Sequence, residues 1–133
     1  MTKIEEDLMY KEMCARMPYG LYFKCGGYAT TKLTSIHNAY SEHSSGIILN
    51  GFFRISDNTR IFLRDQSDMT DDERAEFDNA YEELSLGNTK IVEFRYDHHL
   101  DDKGLIMKGL AIEVNGEDYD HACRMWDGKI EEG

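Results

Sequence analysis

The chain predicts an α+β domain: three to four antiparallel strands packed with an N-terminal helix and two helices in the C-terminal half. Three observations carry this. Apolar residues recur at helical spacing ahead of Pro18. A threonine- and aromatic-rich stretch from Gly20 to Arg64 is broken by closely spaced turn signals. Thr70-Asp71-Asp72-Glu73 then opens a new helix as a capping box.

Residues 3–16 read as the first helix. Tyr10, Met13, Cys14 and Met17 share one spacing and Ile4 and Leu8 an adjoining stripe, which puts Cys14 in the core. Glu5, Glu6 and Asp7 suit the positive end of the helix dipole, and Arg16 suits the other end. Pro18 and Gly20 stop the helix.

Leu21 to Cys25 is β-prone and Gly26-Gly27 is a turn signal. Tyr28 to Ile36 suits an edge strand, and His37 to Ser45 reads as a polar loop. Gly46 to Ile55 holds two apolar bursts around Asn50-Gly51, a hairpin signal, with a bulge in one long strand as the alternative. Arg60 to Arg64 is a further strand. These connections are too short for helical crossovers, so the strands should pair antiparallel.

The capping box leads into Phe77, Ala80, Tyr81 and Leu84 at helical spacing, and Gly87 suits a left-handed cap; a helix over 71–86 follows. Lys90 to Asp97 fits two periods. Val92, Phe94 and Tyr96 alternate as in a strand, while Ile91, Phe94, Arg95 and His98 share a helical face. Gly104 to Val114 carries two short apolar runs. The tail from Glu117 is charged, holds the lone Trp126 and should fray at its end. The helices and the C-terminal segment are expected on one sheet face.

A length of 133 residues fits a single domain, 1–133. Fifteen basic against twenty-six acidic residues give a net charge of -11. Such a field repels nucleic acid and anionic membranes and favours a protein partner with a basic surface. Cys14, Cys25 and Cys123 are an odd, scattered set, unsuited to a disulfide or zinc framework, and a reducing cytoplasm is expected. The N-terminal segment is acidic without an apolar core, unlike a signal peptide, and no apolar run approaches the length of a membrane span.

Two groups of residues could carry a site. Asp97, His98, His99 and Asp101 are the densest set of metal-ligand types, and a helix would align Asp97 with Asp101. The plainer reading is a polar helix end. The Asp-His-His string also occurs in a large phosphoesterase superfamily, but the further aspartates and chain length those enzymes need are missing. Tyr22, Tyr28, Phe53, Arg54 and Arg64 fall on the predicted strands and could form an aromatic, cationic face that stacks a nucleotide. The plainer reading is a half-buried sheet with a basic wet face. His121 with Asp118 and Asp120, and His37 and His43 around Tyr40, read as solvated. No phosphate loop, dinucleotide fingerprint, nucleophile elbow or zinc-protease motif is present, so no cofactor is expected.

Three stretches also form an ordered set: Met13-Cys14-Ala15-Arg16-Met17-Pro18-Tyr19-Gly20, Leu63-Arg64 through Ser67-Asp68-Met69-Thr70-Asp71-Asp72-Glu73, and His98-His99-Leu100-Asp101-Asp102-Lys103-Gly104-Leu105-Ile106 with Lys108-Gly109-Leu110-Ala111. Together they resemble a family of small uncharacterised proteins from phages and prophages of gut Bacteroidales, over about two-thirds of the chain. Asp65 stands where that family has proline, and Asp102-Lys103 where it has tyrosine-arginine. The resemblance implies a mobile-element origin and a helix running into His98-His99, which decides the ambiguous stretch. It implies no catalytic residues. The functional expectation is a non-enzymatic phage or prophage accessory protein in the bacterial cytoplasm, acting by protein–protein binding and inhibiting a host factor in one form. The alternatives are a nucleotide-binding protein or sponge and a metal-dependent hydrolase. The reading also admits a homo-oligomer.

Overall fold

A computed structural model describes residues 2–40, 45–82 and 89–126. The first helix, α1 (Lys3–Arg16), begins at a capping box of its own. Thr2 Oγ1 accepts the Glu5 amide at 3.1 Å, and the Glu5 carboxylate accepts the Thr2 amide at 2.9 Å. Its buried face is Met9, Glu12, Met13 and Arg16. Cys14 is therefore exposed, not in the core as its spacing suggested. The Glu12–Arg16 ion pair is drawn inward and turns the helix so that Cys14 faces out. A 3-10 turn, Met17–Tyr19, follows and ends at Gly20, whose φ of +83° no other residue type adopts cheaply.

The described residues hold seven strands in two sheets. They are β1 (Tyr22–Cys25), β2 (Thr31–Lys32), β3 (Ile36–Tyr40), β4 (Ser45–Leu49), β5 (Phe53–Arg54), β6 (Thr59–Leu63) and, after the helices, β7 (Ala111–Glu113). One sheet has the order β2-β1-β6-β7, the other β3-β4-β5. All pairs are antiparallel except β6–β7, which is parallel. The parallel pair is made across α2 (Asp71–Glu82) and α3 (Thr89–Asp97), a link long enough for a crossover. The short helix α4 (Tyr119–Arg124) closes the described chain. The architecture is α+β, with the strands shared between two sheets. No helix among the described residues is long and apolar enough to cross a membrane.

One sequence expectation shifts here. His37 to Tyr40, expected as loop, pairs with β4 in the register Ile36↔Leu49, His37↔Ile48, Asn38↔Ile47. The partner β4 supplies the buried side chains Ile47 and Leu49, so β3 needs no apolar pattern of its own. Asn50-Gly51 does turn the β4–β5 hairpin, with φ of 55° and 71°. Asn50 also ties the hairpin to the β2–β3 connection. Its Oδ1 accepts the Thr34 and Ser35 amides at 2.7 and 3.3 Å, and its Nδ2 donates to the Lys32 carbonyl at 2.8 Å. Of the predicted stripe on α2, Phe77 and Ala80 are partly buried; the side chains of Tyr81 and Leu84, and Gly87, lie outside the described residues.

The four-stranded sheet is covered on both faces, not on one. Phe23, Ile61 and Leu63 join Met9, Met13, Leu49 and Leu105 in the larger core. The alternate residues Tyr22 and Phe62 point the other way and pack with Val114, Tyr119 and Cys123 of the C-terminal segment. Fully burying a side chain such as Phe62 is worth roughly 1.5–3 kcal/mol, so the charged tail is held by its few apolar residues.

Candidate functional site

The helix α3 ends in two steps that shape the site. The His99 amide donates to the Tyr96 carbonyl at 3.1 Å and the Leu100 amide to the Arg95 carbonyl at 2.8 Å, with His99 at φ 59°. This is a Schellman cap with histidine where glycine is usual. The backbone then runs back beside β6: the Arg64 amide donates to the His99 carbonyl and the Asp101 amide to the Arg64 carbonyl, both at 2.8 Å.

The cap separates the four suspected metal ligands. His98 points toward α2, where its Nδ1 lies 2.7 Å from Glu73 Oε2. His99 stacks flat on Tyr119, with ring centroids 3.6 Å apart and planes 9° apart. Burial, then the Arg16, Arg64 and His98 charges, pull its imidazole down to about 3. Asp101 is buried and accepts the Leu105 and Ile106 amides at 2.9 and 3.0 Å, so it serves a turn. Asp97 alone stays exposed, at 72%. Among the described residues no group of three or more histidine, cysteine or carboxylate side chains is placed to hold a metal ion.

Arg64 is buried too, at 1% exposure. Its two terminal nitrogens meet both Glu73 oxygens at 2.8 and 2.9 Å, and its Nε meets Asp68 at 2.8 Å. The Asp68 and His98 carbonyls, at 3.0 and 3.3 Å, take the remaining two N–H groups. All five guanidinium donors are thus used within the fold, and none is offered to a ligand. The Arg64 hydrogen bonds hold the Glu73 carboxyl down at about 2. Tyr22 lies under α4, donates to Asp120 and is pushed up to about 12 by burial and that bond. The remaining three ligand candidates, Tyr28, Phe53 and Arg54, do come together, with Phe52, around a cleft of about 350 Å³.

A larger concavity lies elsewhere. A cavity of about 440 Å³ between α2 and α3 adjoins one of about 320 Å³ that runs over the end of α3 toward α4. Tyr19, Asp97 and His98 line both. Glu76, Glu93, Asp97, Glu117, Asp118 and Asp120 face this groove, against the cations Lys32 and Lys90 beside the buried Arg64. Asp118 and Asp120 have work inside the fold, capping the His121 amide and binding Tyr22 and Arg124. Glu76 and Asp97 are 68% and 72% exposed. His98 Nδ1 faces Glu73, and its Nε2 lies 3.9 Å from both the Glu76 and Asp97 carboxylates. The groove is therefore rich in acceptors, around an aromatic wall of Tyr19 and Phe94.

Sequence reasoning found Asp97 and His98 but not Tyr19, Glu76, Glu93 or Glu117. The only signal for these acids was the overall excess of charge, which says nothing about placement. Comparisons with protein-family models, curated proteins and solved structures returned no match, so nothing about this groove is carried over from a relative.

Proposed function

We propose that this chain is a non-enzymatic accessory protein of a phage or prophage that binds a protein partner, and that it takes lysine or arginine side chains of that partner into the acidic groove. The single observation behind this reading is the groove itself, where exposed carboxylates and the His98 ring gather around Tyr19. Carboxylates accept hydrogen bonds, which ammonium and guanidinium groups supply. The net charge of -11 adds long-range attraction for a basic surface. Inhibition of a host factor by covering its basic groove is one form such binding takes.

Catalysis has less support. His98 is committed to Glu73, His99 is stacked on Tyr119, and burial raises the Cys25 and Cys123 thiols, the latter to about 12. A thiol so raised stays protonated and unreactive at neutral pH.

The test uses a fluorescent octalysine peptide and two triple variants of equal charge change. Glu93→Gln, Asp97→Asn and Glu117→Gln neutralise the groove; Glu6→Gln, Asp7→Asn and Asp57→Asn neutralise other surfaces. The groove triple is expected to weaken binding about tenfold or more, an energy of about 1.4 kcal/mol, and the control triple far less. Equal loss in both would reduce the interaction to net charge and remove the groove from the account.

A further inference from the structure

We propose that the cleft between the Gly26-Gly27 turn and the β4–β5 hairpin is a second binding site, and that its ligand is a planar aromatic anion of mononucleotide size. Three rings build it. Tyr28, Phe52 and Phe53 contact one another pairwise at 5.8, 5.2 and 5.0 Å between centroids. Their planes cross at 80°, 81° and 82°, so the rings form the three walls of a corner. Phe53 fixes that corner to the core, edge-to-face against buried Phe23 at 5.3 Å. Tyr28 and Phe52 remain 56% and 68% exposed. Edge-to-face packing satisfies the rings among themselves and leaves open faces on which a base can stack.

The polar groups decide the charge of the occupant. Arg54 lines the same cleft, with Ser56 and Asn58. Asp57 sits between Ser56 and Asn58 in sequence but does not line the cleft. A basic ligand would meet Arg54; a neutral apolar one would leave the guanidinium unused. An aromatic ring carrying phosphate uses both features. The volume of about 350 Å³ lies at the low end for small-ligand sites, which suits one mononucleotide. Exposed acids more than about 10 Å from the cleft oppose an anion only weakly, because they are screened at 0.1 M salt. The cleft shares no lining residue with the acidic groove, so this inference stands independently of the protein-binding reading.

Titration calorimetry on the full chain tests it, with AMP and GMP as probes and adenosine and inorganic phosphate as separate arms. At least one nucleotide should saturate a single site, with adenosine about tenfold weaker and phosphate weaker still. Tyr28→Ala should weaken nucleotide binding about tenfold or more. Arg54→Gln should reduce the nucleotide to the adenosine level and leave adenosine unchanged. Both side chains are exposed, so unchanged circular dichroism and Tm should accompany the loss. The proposal is overturned if neither nucleotide saturates in the millimolar range, or if binding ignores both substitutions. It is equally overturned if the chain self-associates without nucleotide and Phe52→Ala abolishes that association, because the corner would then be an interface between copies.

Discussion

Glu73 and His99 shape the response of this molecule to acid, in two overlapping pH windows that start at different values. Glu73 is held at about 2 by Arg64, well below the ordinary carboxylate value of 4.5. A lowered folded value means that the stabilisation is complete above the unfolded value and is lost as pH falls from there toward 2. At about 1.4 kcal/mol per unit this amounts to about 3 kcal/mol. Glu73→Gln should therefore flatten the stability curve below pH 4.5, while costing about 3–5 kcal/mol at neutral pH by leaving Arg64 buried without its partner. Chemical denaturation against pH reads both effects. His99 titrates higher. Its ordinary value of 6.5 falls to about 3 in the fold, so the unfolded chain takes up the proton first and stability declines as pH drops from 6.5 toward 3. Between pH 7 and 5 the expected loss is about 2 kcal/mol. His99→Asn keeps a residue type that tolerates positive φ and removes the titration, so most of that loss should vanish. A wild-type curve flat from pH 7 to 5 would show that His99 is not buried in its neutral form. The Thr70–Glu73 cap was legible in sequence because both partners are local. The ion pairs of Glu73 and Arg16 with distant residues were not. Arg16 read as a helix-end cation; in the fold it is fully buried, bound to Glu12 at 2.7 Å, to the Leu100 carbonyl at 2.7 Å and to Asp102 at 3.1 Å.

At the scale of elements, local signals were read correctly where one segment held the whole pattern. Helix α1, the Asn50-Gly51 hairpin and the start of α2 are of this kind. The α3 stretch was ambiguous on local pattern, since Lys90 to Asp97 fits both periods; the resemblance decided it correctly as a helix, and its end depends on a cap that brings Leu100 beside Arg64. β7 and α4 were also hidden: one is three residues long, and the other, in a charged tail, is packed by Cys123, Trp126 and the aromatic that opens it. That residue, Tyr119, donates to the Phe62 carbonyl at 2.7 Å and accepts the Tyr22 amide at 3.0 Å. Tyr119→Phe removes one hydroxyl and leaves two buried backbone groups without it. The expected cost is about 1–3 kcal/mol. Hydrogen exchange should show the loss first at α4, with amides of β1 and β6 retaining most of their protection. Uniform loss across the molecule would mean that α4 does not open as a separate unit.

For the whole molecule, what matters is where the charge of -11 falls. Both buried arginines are neutralised inside, Arg64 by Glu73 and Asp68, and Arg16 by Glu12 and Asp102. Lys103 also binds Glu12. The acid excess is left to the surface, and the groove from α2 past the end of α3 to α4 gathers part of it beside Tyr19. Composition predicted an acidic partner-binding protein but not this groove, which only the return of the chain after His99 creates. The most direct test is the affinity of the octalysine peptide measured from low salt to about 0.5 M, where the screening length falls to a few ångströms. Groove binding predicts a steep decline for the wild type, and a weaker, flatter profile for the groove triple than for the control triple. Superimposable profiles for the two triples would contradict it.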